Sequence, residues 1–221
     1  MSTIQWLTAA IAIVLIALFS VLFVVTEIEK HQAQNLQTLT LAAPTSVAAE
    51  SANRSKNLVV YFSRSGNTAL AARHIAGWLQ ADTIALQVED YQLGISGLAN
   101  AIKDADQLKT DSAALPDIKP ASTDMTAYDT VWLGSPVWLY SPAPPIWSFI
   151  ENNRFDGKNV VLFNTYNSHF SDEHIDRFRA KVMAKGAVSF EHKHVIRGRM
   201  TQQITPEEML NTMDQQWFNL Q

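Results

Sequence analysis

The sequence predicts an α/β domain with a parallel β-sheet, preceded by one transmembrane helix. From residue 58 onward, short apolar runs of strand length alternate with amphipathic helical segments. This pattern is typical of βα units whose parallel sheet is covered on both faces. Before them, residues 6–25 form an uncharged apolar stretch, which as a helix would span the ~30 Å hydrocarbon core of a bilayer.

Composition excludes several classes of function. The 221 residues contain no cysteine, so disulfides, thiolate zinc sites and cysteine nucleophiles are excluded. The chain has 17 Lys and Arg against 21 Asp and Glu, a net charge of −4. A nucleic-acid-binding domain would show a basic patch or stripe. We therefore expect no nucleic-acid partner.

The apolar stretch from Trp6 to Val25 favours a membrane anchor over a cleaved signal peptide. Signal peptides have a basic n-region, a shorter apolar region and a nearby small-residue cleavage site. Residues 1–5 contain no Lys or Arg, and the first such cleavage site, at residues 46–48, is far away. A buried core helix is a third reading, but this stretch would be apolar on every face. We predict an anchor over residues 1–30.

Residues 31–56 are predicted to form a flexible linker. They contain no glycine or aromatic residue and are rich in Gln, Thr, Ala and Ser. A coil of this length reaches on the order of 30 Å, so it would lift a domain off the bilayer without fixing its orientation. Residues 57–221 are then long enough for one domain with a single core. Only Lys30 follows the span closely, which favours a cytoplasmic domain.

The elements of that domain follow from hydrophobic periodicity and capping signals. The apolar runs predict strands over 58–62, 83–88, 130–133, 160–163 and 188–196. Helical spacing and caps predict helices over 67–81, 96–109, 143–152 and 172–184, and a last helix that begins after Thr205. Ser171 is the predicted N-cap of the fourth helix.

The loop after the first predicted strand has the composition of a phosphate site. It reads Ser63-Arg64-Ser65-Gly66-Asn67-Thr68 and leads directly into a helix. Hydroxyl and amide side chains at a helix N-terminus, together with the helix dipole, bind phosphate well. No lysine follows the glycine and no GxGxxG occurs, which argues against a nucleoside triphosphate or a Rossmann dinucleotide site. Ordinary capping would explain Asn67 or Thr68, but not the other polar residues.

Two further loops carry aromatic residues. One follows the strand over 130–133 and contains Trp138 and Tyr140, and the other follows the strand over 160–163 and contains Tyr166. Ligands of open parallel sheets bind at the carboxyl ends of the strands, where all three loops meet. One phosphate cage and two aromatic loops together predict a site for flavin mononucleotide, FMN.

These residues resemble a known family. SRSGNT after the first strand, YDTVWLGSPVW ahead of PAPP, and GKNVVLFNTYN are similar to motifs of the flavodoxin family, across nearly all of residues 57–200. The resemblance implies a flavodoxin-like three-layer sandwich with a five-stranded parallel sheet of order 2-1-3-4-5 and noncovalently bound FMN. It implies these cofactor-binding residues: Ser63, Ser65, Gly66, Asn67 and Thr68 for the phosphate, Pro136, Val137, Trp138 and Leu139 along the isoalloxazine, and Thr165, Tyr166 and Asn167 on the opposite wall.

The sequence departs from the family's pattern at one position of the site. Family members that cycle through a stable semiquinone usually have glycine after the loop aromatic, where Leu139 stands. We expect the Cβ of Leu139 to oppose the φ > 0 conformation that glycine adopts there. Outside the site, His192 and His194 share one strand face, but packing is the simpler reading and no metal is predicted.

Three functions are compatible with these patterns. The leading hypothesis is a membrane-tethered FMN protein that passes electrons between a reductant and an acceptor, either a redox partner protein or a small molecule. The alternatives are an FMN-dependent NAD(P)H or quinone oxidoreductase and a flavin-free interaction module. No catalytic residue is predicted, and the nucleophile elbow GxSxG of serine hydrolases is absent.

Overall fold

The fold is organised around a parallel sheet, seen in a computed structural model that describes residues 2–39, 56–111, 115–199 and 202–218. Residues 40–55, which make up most of the predicted linker, lie outside the described residues, as do residues 219–221 at the end of the predicted domain. The sheet contains β1 (Asn57–Phe62), β2 (Asp82–Leu86), β3 (Thr130–Trp138), β5 (Asn159–Tyr166) and β6 (Ser189–Ile196), with the short β4 (Ser141–Pro142) antiparallel to β3. Its order is β2-β1-β3-β5-β6. Counted over the five parallel strands this is 2-1-3-4-5, so the predicted topology is confirmed.

Helices cover both faces of the sheet, which makes the predicted three layers. They are α1 (Thr3–Thr38), α2 (Asn67–Leu79), α3 (Ile95–Gln107), α4 (Pro144–Asn152), α5 (Asp172–Ala184) and α6 (Pro206–Trp217). One core packs α2 and α6 on the sheet through residues such as Ile75 and Met209, and the other packs α3, α4 and α5 through residues such as Phe149 and Phe178. Thr205 and Glu208 form the capping box predicted for α6, whereas the side chain of Ser171 makes no capping hydrogen bond.

Strands β3 and β5 extend further than predicted. The prediction placed residues 134–138 and 164–166 in loops, and they are instead the last residues of β3 and β5. The two strands stay in register as far as Pro136 and Thr165, and β4 pairs with the last two residues of β3. Five of the seven residues predicted to line the isoalloxazine therefore lie on the sheet itself, where strand pairing fixes their positions.

Beyond β3, the chain turns back through the two residues Leu139 and Tyr140. Their φ angles are 46° and 73°, both left-handed. A two-residue hairpin loop requires this conformation at both positions, and it is normally supplied by Asn and Gly. The Cβ of Leu139 was expected to oppose φ > 0, and the structure nevertheless adopts it because strand pairing on both sides dictates the turn. This hairpin holds strain next to the predicted flavin wall.

We expect Leu139→Gly to be more stable than Leu139→Ala, by about 1 kcal/mol in the free energy of unfolding. Both variants remove the same exposed side chain, and only alanine keeps the Cβ that is strained at φ > 0. Urea denaturation of the full chain in detergent micelles measures the difference. Equal stability of the two variants would show that the hairpin holds no such strain.

Helix α1 is one continuous helix of 36 residues with two different surfaces. Its side chains up to Val24 are almost all exposed, and the helix is long and apolar enough to cross a membrane. Further along, Thr26, Glu29, Ala33 and Leu36 are buried. Their spacing of three and four residues places them on one face, which packs on the α/β domain. The helix thus runs eight residues into the predicted linker because this buried face holds it to the domain.

The edge strand β6 contains a histidine that burial keeps neutral. Desolvation, with smaller effects from His194 and Arg179, lowers the pKa of His192 to about 4. Its Nε2 lies 2.9 Å from Asn164 Oδ1, and the ring meets Phe170 edge-on at 5.0 Å. His192 therefore packs against β5 as a neutral hydrogen-bonding side chain.

Stability should fall as the pH is lowered from about 6.5 to about 4. In this range the unfolded chain takes up a proton at His192, whose ordinary pKa is about 6.5, while the folded chain does not. His192→Gln removes this titration and keeps a donor toward Asn164, so its free energy of unfolding should vary less with pH. Chemical denaturation at several pH values tests this, and identical slopes for the two proteins would contradict it.

Candidate functional site

The carboxyl ends of β1, β3, β5 and β6 meet at one edge of the sheet, beside a cavity of about 300 Å³. Nine of the twelve predicted cofactor-binding residues line this cavity: Ser65, Asn67, Pro136, Val137, Trp138, Leu139, Thr165, Tyr166 and Asn167. Further lining residues come from α1, α3 and the segment after β6. The three loops that were singled out from the sequence are therefore brought together.

The other three predicted residues lie close by but do not line the cavity. Ser63 and Gly66 border a neighbouring cavity of about 500 Å³, on the side of β2. Thr68 is buried, and its hydroxyl lies 2.7 Å from that of Thr165. This contact ties the first turn of α2 to the end of β5, so Thr68 positions one wall of the cavity.

The N-terminus of α2 opens the phosphate end of the site. Its N-cap is Gly66, which has a φ of 92° and contributes no side-chain cap. The first N–H groups of any helix have no partner within the helix. A side chain at position 66 would also crowd α1, because a Cβ there would lie 3.1 Å from the Cβ of Leu36. The result is an uncapped helix end beside the buried side chains of Asn67 and Thr68.

Arg197, directly after β6, brings a positive charge to the N-terminus of α2. The residue is 5% exposed, and its Nε donates to Asn67 Oδ1 at 3.1 Å. Its Nη1 is buried and has no hydrogen-bond partner among the described residues. Burial lowers the pKa of Arg197, and the carboxylate of Glu208 opposes this shift. A buried guanidinium with a free donor beside a helix N-terminus is suited to bind a phosphate.

Aromatic residues form two walls further along the cavity. The ring of Trp138 packs against Phe62, edge-on with ring centroids 5.5 Å apart, and against Tyr91 at 5.8 Å. Tyr166 on the other wall packs against Phe170 at 5.4 Å and His194 at 5.6 Å. Both rings are thus supported by other rings, and both line the cavity, where aromatic side chains suit a planar ring system.

Helix α1 closes the third side of the cavity through a buried ion pair. Glu29 and Gln32 line the cavity, and the guanidinium of Arg64 pairs with the carboxylate of Glu29. Arg64 also donates to the carbonyl of Gly94 at 3.1 Å, and Gln32 Nε2 donates to the carbonyl of Ser65 at 3.1 Å. The helix predicted only as an anchor and tether is therefore part of the site.

Sequence reasoning missed several of these residues for different reasons. Arg64 lies inside the SRSGNT motif and was passed over among the polar side chains. Arg197 follows the fifth predicted strand, so reading the residue after every strand end would have found it. Glu29 and Gln32 carry no local signal, because their role depends on how α1 packs against the domain.

The donors and walls of this cavity fit FMN. The uncapped helix end and Arg197, whose Nη1 lacks a partner within the described ranges, would hold the phosphate. Trp138 and Tyr166 would hold the ring system. Within the part of the chain that the structure describes, no group of three or more His, Cys, Asp or Glu is placed to hold a metal ion.

Comparison with known proteins agrees with this fold. A candidate flavoprotein from Bacteroides uniformis ATCC 8492 superposes with a TM-score of 0.57 at 22% identity, over 73% of this chain and 99% of that one. The flavoprotein from Lactobacillus acidophilus NCFM in complex with FMN superposes with a TM-score of 0.51 at 23% identity, over 63% and 93% of the two chains. No curated protein sequence matches the chain. The family model described as Flavodoxin matches residues 56–213. With the sheet order and the three loops in place, the chain belongs to the flavodoxin family.

Proposed function

We propose that the protein is a membrane-anchored flavoprotein that binds FMN in the 300 Å³ cavity and transfers electrons between a reductant and an acceptor at the membrane. The observation that carries the proposal is the buried Nη1 of Arg197, which has no hydrogen-bond partner in the described part of the chain, beside the uncapped N-terminus of α2. A buried guanidinium with a neutral partner at Nε and none at Nη1 is costly, and a phosphate would lower that cost.

The chain's own residues divide the work of holding the cofactor. Ser65, Asn67 and Arg197 would donate to the phosphate, together with the first N–H groups of α2. Trp138 and Tyr166 would hold the isoalloxazine between them and exclude water from its faces. Bound FMN supplies the redox chemistry, and the protein sets the position, potential and access of the ring.

Anchoring is supported by the surface of α1. Its residues before Val25 present apolar side chains to every side, and no packing partner within the described residues covers them. A helix of this kind is stable only in a bilayer or against another apolar surface. Lys30, the one Lys or Arg that follows the span closely, favours a cytoplasmic domain by the positive-inside rule.

Purified full-length protein should carry FMN or bind it when it is added. Flavin fluorescence is expected to be quenched on binding, because the ring lies against Trp138. A folded, colourless protein that leaves added FMN fully fluorescent would refute the proposal and favour the flavin-free interaction module. If the protein oxidises NADPH steadily without a partner protein, the NAD(P)H or quinone oxidoreductase alternative is correct.

Arg197→Met should weaken the binding of FMN much more than that of riboflavin, which lacks the phosphate. A hydrogen bond to a charged group contributes about 1.5–3 kcal/mol, so we expect FMN affinity to fall by roughly 10- to 100-fold. Arg199→Met is the matched control, because Arg199 is exposed and does not line the cavity. Fluorescence titration gives both affinities. Equal losses for the two flavins would place the phosphate elsewhere.

A further inference from the structure

The contacts of helix α1 fix the direction in which its apolar half leaves the domain. Glu29 pairs with Arg64, which follows the carboxyl end of β1. Two turns later, the carbonyl of Gln37 accepts from Arg73, which is well inside α2. Since α2 runs back from the carboxyl edge of the sheet toward its amino edge, α1 runs the same way over these residues. The residues before Glu29 therefore project beyond the carboxyl edge, where the cavity lies.

Helix geometry then gives the height of the cavity above the membrane. Glu29 follows the end of the apolar stretch, Val25, by four residues, and Gln32 follows it by seven. At 1.5 Å per residue these positions lie about 6 and 10 Å along the helix from the end of the span. Each polar headgroup layer of a bilayer is about 5–8 Å thick. The cavity, which both residues line, thus begins at the level of the lipid headgroups.

The same edge of the domain exposes apolar side chains. Leu93, Leu139, Tyr140 and Ile196 follow or end strands at the carboxyl edge and are 38–50% exposed. Leu93 lies nearest to the membrane-proximal turn of α1, since Arg64 joins Glu29 to the carbonyls of Gln92 and Gly94 on either side of it. Apolar side chains at this level gain free energy by entering the interface of a bilayer.

Charge makes neutral lipid the fitting partner for this edge. Glu27, Glu89 and Asp90 are exposed close to it, and so are Lys30, Lys103 and Lys119, which pairs with Glu89. Balanced charge gives anionic lipid no electrostatic advantage, so the contact depends on the apolar side chains. Among the described residues, the cations named here do not form the cluster of about four or more Lys and Arg that binds acidic headgroups.

We propose that the cofactor edge of the domain rests against the bilayer, held there by the Glu29–Arg64 pair and by insertion of Leu93 and its apolar neighbours into the lipid interface. This inference rests on the proposed membrane anchoring. In this proposal the orientation of the domain is fixed and the cavity mouth faces the lipid. A flexible linker would instead leave that orientation undefined. FMN bound there exchanges electrons at the membrane surface.

The chain lacks cysteine, so single-cysteine variants of the full-length protein can report this orientation. Leu93→Cys carries a fluorophore on the cofactor edge, and Val188→Cys carries one at the opposite edge, where the residue is also exposed. The proteins are placed in nanodiscs of phosphatidylcholine that contain spin-labelled lipid as a quencher. We expect several-fold stronger quenching at position 93 than at position 188. Equal quenching, or stronger quenching at position 188, would overturn the proposal.

A second pair of variants tests the role of the ion pair. In the Leu93→Cys background, Glu29→Gln breaks the buried pair with Arg64, whereas Glu27→Gln removes the same charge from an exposed position on the same helix. We expect quenching to fall toward the value at position 188 in the first variant and to stay unchanged in the second. Equal quenching in both variants would show that the pair does not hold the orientation.

Vesicle flotation separates this proposal from the one on which it rests. If the unmodified protein does not float with phosphatidylcholine vesicles, the anchoring is wrong. If it floats and the probe at position 93 is as weakly quenched as that at position 188, the anchoring stands and only the orientation is wrong. Should Glu29→Gln fail to fold, the comparison of positions 93 and 188 still decides the question.

Discussion

The parallel register of β1, β3 and β5 is the constraint on which the site depends. Because the three strands run in the same direction, the polar loop after β1, the end of β3 and the end of β5 meet at one edge. The hydroxyls of Thr68 and Thr165, 2.7 Å apart, join α2 directly to β5 across this edge. A slip of one residue in either strand would turn Trp138 or Tyr166 away from the cavity.

Two buried arginines at this edge meet the cost of burial in different ways. Each guanidinium nitrogen of Arg64 has a partner, either the carboxylate of Glu29 or a carbonyl oxygen. Arg197 lines the cavity, and its buried Nη1 has no partner among the described residues. Because an unpaired buried donor is unfavourable, we assign Arg64 to the packing of α1 and propose an anionic ligand for Arg197.

Helix α1 continues from its apolar half onto the surface of the domain, where the sequence predicted a flexible linker. A long flexible linker would leave the distance between the apolar half of α1 and the cavity undefined. A continuous helix that packs on the domain through Glu29, Ala33 and Leu36 sets that distance by its rise per residue. Gly66 favours this packing, because a Cβ at that position would crowd Leu36. The loop predicted to hold the phosphate and α1 are therefore in direct contact.

The sequence by itself determined the alternation of strands and helices and the apolar N-terminal stretch, because hydrophobic periodicity and capping signals are local. The family and the sheet order came from the resemblance of SRSGNT and the two later motifs to the flavodoxin family. Only the tertiary structure decided the lengths of β3 and β5, the left-handed Leu139 and the burial of Arg197. These depend on pairing between strands that are distant in the chain. The sequence also did not predict that α1 continues after residue 30. This part of the helix consists largely of Gln, Asn and Ala, and the surface on which it packs stabilises it.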